Sequence, residues 1–210
     1  MDDLQLVQGS EAWRLARAGS VGASSVADLM AKTKSGWGAS RANLMARIIC
    51  ERLTGEPQES YVNAAMQHGT DTEPQARSAY AFMHDVDVAE VGLIRHPSIA
   101  GAHASPDGLV GEDGLLEIKC PNTATHIETL LSGEIADRYL KQMQFQMACT
   151  GRAWTDFVSY DPRLPGDLQV FIKRIPRDDA LIAEIEDAVR FFILETEAKL
   201  RRLAELRVAA

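Results

Sequence analysis

Along the first third of the chain, apolar residues return every three or four positions, the spacing of one helix face. Ser10 is placed to cap a first helix that runs through Ala18, with Gly19 ending it. Ser24 or Ser25 is placed to cap a second, Val26 to Lys32, whose Asp28 favours its N-terminal end. Residues 33–40 (TKSGWGAS) read as a loop. Ser40 then caps a helix with Leu44, Ile48, Ile49 and Leu53 on one side, stopped at Gly55-Glu56-Pro57. A further helical pattern runs from about Val62 to Met83, and Gly69 and Pro74 inside it predict a break or restart near Gly69–Glu73.

From Val86 the period shortens. Val86–His96 alternates and predicts a strand, followed by short strands at Ile99–Ala104, Gly108–Val110 and Leu115–Lys119, with Gly111–Gly114 turning between the last two. Helical patterns return at Thr125–Leu131 and Arg138–Cys149. Strands at Ala153–Tyr160 and Leu168–Ile175 flank the turn DPRLPGD. A final helix, about Asp178 to Arg207, starts with acids and ends with bases, as the helix dipole favours. With no internal repeat and no linker, residues 1–210 predict a single α/β (α+β) domain: a mixed central sheet flanked by helices, a helical N-terminal third and a long C-terminal helix.

A hydrophobic share of 46% excludes a disordered or low-complexity chain. No apolar run approaches the roughly 18 residues of a membrane span. The opening MDDLQLVQGSEAW lacks the layout of a signal peptide, and three cysteines at unrelated spacings give neither a disulfide scaffold nor a zinc pattern. A cytoplasmic protein with no membrane partner is expected. Charge matters by segment. Residues 12–54 carry seven bases against two acids, a net of +5, so a total of −8 leaves −13 elsewhere. Such a stretch can attract an anion while the molecule stays acidic, although on charge alone a solvated helix surface is the simpler account.

The candidate chemistry lies in Ser105-Pro106-Asp107-Gly108 and, downstream, Glu117-Ile118-Lys119. Side chains alternate faces on a strand, so Glu117 and Lys119 point the same way, and Asp107 on the facing arm can meet them. Two carboxylates offer hard oxygen ligands to Mg2+ or Mn2+, which polarise a phosphodiester and acidify bound water. The lysine can orient or help deprotonate that water, or offset transition-state charge. A lone strand-end acid is most simply a solvated charge. The set of three in this spacing on a hairpin is more specific, and it resembles the core of the PD-(D/E)xK nuclease superfamily.

Further residues narrow the resemblance. In order they are Trp13-x3-Arg17-x-Gly19 with Ala23-Ser24, Gly69-x3-Glu73 with Ala76-Arg77, SPDGL at 105–109, LEIKCP at 116–121, Gln142-x-Gln144 and Tyr160-Asp161-Pro162-Arg163. Together they resemble the bacteriophage lambda exonuclease family, the YqaJ-type viral recombinases or alkaline exonucleases, over about Ser10 to Asp178. The resemblance implies a restriction-endonuclease-like core. It implies two metal ions on Asp107, Glu117 and the Ile118 carbonyl, with Lys119 catalytic and Glu73 as the helix-borne acid completing the site. It also implies a 5′-phosphate pocket of Arg17, Ser24, Ser105 and Gln142, a minor-groove contact at Lys34 and a strand-parting wedge at Met66. Lysine reads a groove less well than the family's arginine. Trp13 and Trp154 read as packing residues, while Trp37 in its Gly-rich loop is placed to stack on a base. His68, beside Gly69, is placed to touch the site. His84, His96, His103 and His126 are scattered, and Cys120 reads as core.

The activity so implied is that of a Mg2+-dependent 5′→3′ exonuclease on double-stranded DNA ends. It would release 5′-mononucleotides and leave a 3′ tail. A ring-shaped homotrimer and a single-strand annealing protein as partner are implied with it. Two other readings fit the residues: a structure-specific or restriction-type endonuclease on the same core, and a non-catalytic DNA-end-binding module that loads an annealing protein.

Overall fold

The computed structural model describes residues 3–34, 36–58 and 64–208. Ser10 caps α1 (Glu11–Arg17) by accepting from the Trp13 amide at 3.2 Å. After β1 (Val21–Gly22), a 3-10 turn over Ala23–Ser25 leads into the short α2 (Val26–Met30). No serine side chain caps that helix, because the turn itself supplies the first bonds. The expected loop holds a small hairpin, β2 (Lys32–Thr33) with β3 (Gly36–Trp37). Gly38, not Ser40, precedes α3 (Ala39–Thr54), and Ser40 lies inside it, its hydroxyl donating to the Asp28 carbonyl. The stop is as expected: Gly55 takes φ +77°, which an L residue resists.

The expected break in the next helix is absent. α4 (Ala64–His84) runs unbroken through Gly69 and Pro74, while its expected start at Val62 lies outside the described residues. Proline there forfeits one backbone bond, to the carbonyl of Thr70. Both residues are exposed, so water satisfies that carbonyl. The expected strand Val86–His96 is also corrected. β4 (Val88–Ala89) and β5 (Ile94–Arg95) join different sheets. Between them the N-terminal segment lies on Gly92, where a Cβ would stand 2.2 Å from the Leu6 carbonyl oxygen, so no side chain fits.

Then come β6 (Ala102–Ala104), β7 (Gly108–Val110), β8 (Gly114–Lys119), α5 (Thr123–Ser132), α6 (Asp137–Thr150), β9 (Trp154–Tyr160), β10 (Val170–Pro176) and α7 (Asp179–Val208), all close to expectation. The main sheet has the order β10-β9-β8-β7-β4, antiparallel except for the parallel β8–β9 pair. A smaller sheet has the order β1-β6-β5.

Alternation on β8 separates two layers. Leu115 joins a core built with α2, α3, α6 and α7, whereas Leu116 and Ile118 pack with Ala76 and Tyr80 of α4. Glu117 shares the Leu115 side and faces α6. The expectation of a mixed sheet flanked by helices is met, and the sheet delivers the candidate residues at the C-terminal end of β8. Among the described residues no helix is long and apolar enough to cross a membrane.

Candidate active site

The β7–β8 register sets the site. Gly108 pairs with Leu116, so Asp107 falls just beyond the pairing, opposite Glu117 and Ile118. Its Oδ2 accepts from the Ile118 amide at 2.6 Å. Lys119 Nζ lies 2.5 Å from Glu117 Oε1, as alternation predicts. Glu117 is fully buried, and two glutamines one turn apart on α6 hold it. Gln142 Nε2 donates to its Oε1 at 2.7 Å and Gln146 Nε2 to its Oε2 at 2.6 Å. Sequence reasoning missed Gln146. Its signal was the four-residue spacing from Gln142, which puts both amides on one helix face. α4 brings the third acid: Arg77 donates to Glu73 Oε1 at 2.5 Å and to the Asp107 carbonyl at 3.0 Å, clamping helix to hairpin.

Electrostatics tie these groups together. Burial, then Glu117 and Glu73, push the Asp107 carboxyl well above its usual range, against Lys119 and the Ile118 amide. Burial also raises Glu73, where Arg77 opposes and Glu117 assists. For Lys119 burial works against the ammonium, but Glu117 and Asp107 outweigh it and raise its pKa. Carboxylates that oppose one another's ionisation form a donor set for a hard divalent cation, which would offset the repulsion. Among the described residues no three His, Cys, Asp or Glu side chains are grouped closely enough to hold a metal by themselves, so oxygens of backbone or water must complete any such shell. The Ile118 carbonyl, between Glu117 and Lys119, suits that part. Cys120 packs on the α4 side, and burial, with Glu73 and Asp107 beside it, pushes its thiol up to about 12.

The four residues expected to form a phosphate pocket come together. Arg17, Ser24, Ser105 and Gln142 line one cavity of about 200 Å³ with Gln8, Trp13, Ala23 and Gln146. Gln142 touches both this cavity and Glu117, so cavity and acids adjoin. Trp13 does more than pack: its Nε1 donates to the Gly92 carbonyl and to Ser105 Oγ, and its ring lies 3.8 Å from the Arg17 guanidinium carbon. Burial and the neighbouring Arg47 lower the Arg17 pKa to about 10, with Glu51 opposing. Arg17 also borders a larger cavity of about 780 Å³ with Arg14, Arg47 and His103.

The other expected contacts lie apart from this cluster in the sequence of elements. Lys34 is exposed after β2, and Met66 is half exposed in the first turn of α4. Trp37 is half exposed, with the Arg41 guanidinium carbon 3.9 Å from its ring centre. His68 bonds Thr72 at 3.3 Å within α4.

Fold and site together define a nuclease with a restriction-endonuclease-like core. The model of the YqaJ-like viral recombinase domain matches residues 12–153. The chain belongs to that family. It is 57% identical to an alkaline exonuclease (LHK-Exo) from Laribacter hongkongensis, with a TM-score of 0.89 over 95% of this chain and 99% of that one. The same exonuclease in complex with dAMP matches at 58% identity, TM-score 0.89 and the same coverage. A phage-related exonuclease from Haemophilus somnus 129PT, 16% identical, shares the fold at a TM-score of 0.67 over 89% of this chain and 96% of that one. A comparison with curated proteins found no match.

Proposed function

We propose that this chain is a Mg2+-dependent exonuclease, with Mn2+ able to substitute, that degrades one strand of double-stranded DNA 5′→3′ from its end. It releases 5′-mononucleotides and leaves a 3′ single-stranded tail for recombination by strand annealing in the host cytoplasm. The observation that carries this reading is the adjacency of the Arg17–Ser24–Ser105–Gln142 cavity to the buried Glu117. A terminal phosphate held in that cavity sets the scissile bond, one nucleotide further along the strand, at the carboxylates. The dAMP complex of the Laribacter exonuclease supports a mononucleotide as product.

Each residue then has a task. Asp107, Glu117 and the Ile118 carbonyl, with Glu73 alongside, would hold two divalent ions, which would supply polarisation of the phosphodiester and acidification of a water. Gln142 and Gln146 fix both oxygens of Glu117, so its carboxylate needs no reorganisation during reaction. Lys119 orients the attacking water or, as an ammonium, offsets charge gathering on the phosphoryl oxygens. Arg17 grips the terminal phosphate through a guanidinium fork, with Ser24, Ser105 and Gln142 as polar companions. Lys34 and Met66 serve the duplex, as groove contact and as wedge.

Three chains in a ring would line a channel with the basic N-terminal segment, and an annealing protein would receive the tail. Linear duplexes labelled at either end of one strand test polarity. Mononucleotides should appear from the 5′ end first, and EDTA should stop their release. Cleavage of covalently closed circular DNA would favour the endonuclease reading instead.

A further inference from the structure

His103 lies outside the acid cluster, is buried, and has no task in the account above. Its ring bridges two parts of the α1–β1 segment. Nε2 receives the Arg17 Nε–H at 3.1 Å, and Nδ1 lies 2.9 Å from Ser20 Oγ. The Ser20 hydroxyl donates to the Arg17 carbonyl at 2.6 Å. A hydroxyl has one proton, so with that proton on the carbonyl Nδ1 must be the donor to Ser20. Nε2 then carries the lone pair, the state Arg17 needs. The loop Arg17 side chain, His103, Ser20, Arg17 backbone closes on itself.

The local backbone is shaped around this contact. Gly22 pairs with His103 across the parallel β1–β6 ladder. A Cβ at Gly22 would stand 3.0 Å from His103 Nε2 and 3.4 Å from Arg17 Nη2, so a side chain there would press on the bond. Trp13 covers one side of the guanidinium. Among the described residues the two terminal nitrogens of Arg17 have no hydrogen-bond partner. Burial and the surrounding Arg17, Arg95 and Arg47 hold the imidazole neutral, with a pKa lowered to about 3.

We propose that His103 is a positioning residue for Arg17: it accepts the Nε–H and fixes the guanidinium with both terminal nitrogens left for the phosphate of a DNA 5′ end. This rests on the phosphate-pocket reading of the proposed function and adds a residue to it.

The test is the ratio of initial rates on duplexes ending in 5′-phosphate and 5′-hydroxyl, measured for the parent, His103→Phe and His103→Gln. Phenylalanine fills the ring's space without an acceptor, and glutamine returns an acceptor near the Nε2 position. The ratio should fall roughly three- to tenfold in His103→Phe, the worth of one hydrogen bond, and recover in His103→Gln. A merely structural role would alter thermal stability without moving the ratio. An unchanged ratio in folded His103→Phe overturns the proposal alone, while a parent ratio of one overturns the pocket and this inference with it. Should His103→Phe fail to fold, 15N NMR of the parent imidazole decides. A neutral ring protonated at Nδ1 supports the proposal, and an Nε2–H tautomer or an imidazolium overturns it.

Discussion

At the scale of single residues, the site is a set of charges that would not sit together without help. Glu117 is fully buried, and the donors on its two oxygens are Gln142, Gln146 and Lys119. Among the described residues Gln146 Oε1 itself is buried without a partner, a cost accepted because its amide nitrogen holds the carboxylate. Removing the carboxylate should therefore be a chemical lesion that also costs stability, because buried donors lose their acceptor. Asp107→Asn and Glu117→Gln should each lower nucleotide release from linear duplex by about a hundred- to a thousandfold, the scale of losing a transition-state stabiliser, with DNA binding retained in a gel-shift assay. The same residues predict a metal effect on stability. Mg2+ at a hundred times its dissociation constant should stabilise the parent by about 2.7 kcal/mol, raising Tm by several degrees, and Asp107→Asn should remove most of that rise. An equal Mg2+ shift in parent and variant would place the ion elsewhere.

At the scale of elements, β9 ends in a device that can be titrated. The Asp161 carboxylate accepts from the Arg163 backbone at 3.0 Å, from its Nε at 2.6 Å and from its Nη2 at 3.0 Å. Burial opposes the charge, but the bonds from Arg163 and Thr123 outweigh it and bring the pKa down to about 2. The folded value lies below the unfolded value of about 3.9, so the contribution to stability is complete above pH ~4 and lost as pH falls toward 2. Asp161→Asn should cost on the order of 2 kcal/mol in urea unfolding at pH 6, with the gap to the parent closing between pH 4 and 2. A gap independent of pH would contradict this. Elements also show what the sequence could carry. Period-two alternation placed Glu117 and Lys119 on one face, and helical spacing found α3, α6 and α7, because those signals are local. The strand expected at Val86–His96 failed because the chain changes sheets where residues 3–6 cover Gly92, a contact from far away in sequence. The break expected in α4 failed because exposure of Thr70 and Pro74 makes the lost bond cheap. Arg17, Ser24, Ser105 and Gln142 could be gathered only through resemblance, since they come from four separate segments. His103 gave no signal at all: its meaning depends on β1 pairing with β6.

At the scale of the whole molecule, the basic N-terminal segment is less free than its count suggests. Arg41 pairs with Glu195 and Arg52 with Glu197, tying α3 to α7. The remaining bases, Arg14, Arg17, Lys32, Lys34 and Arg47, are those available to a phosphate backbone. Exposed apolar side chains recur on the helices, among them Phe82 and Met83 of α4, Leu131 of α5 and Leu194 and Leu206 of α7. A ring of three chains would cover part of that surface. Sedimentation should therefore give one species near three times the 23.0 kDa chain mass, and a stable monomer that degrades long DNA processively would contradict the ring.

The most direct test of the account concerns the end itself. Initial rates should be measured on linear duplexes that differ only in the 5′-terminal phosphate, for the parent, Arg17→Ala and Arg17→Lys. A charge-assisted bidentate contact is worth on the order of 1.5–3 kcal/mol, so the parent should prefer the phosphorylated end by roughly one to two decades. Arg17→Ala should erase that preference, and Arg17→Lys should restore only part of it, because an ammonium cannot reproduce the fork. Equal parent rates on the two ends would contradict the account, leaving Arg17 without a phosphate to hold.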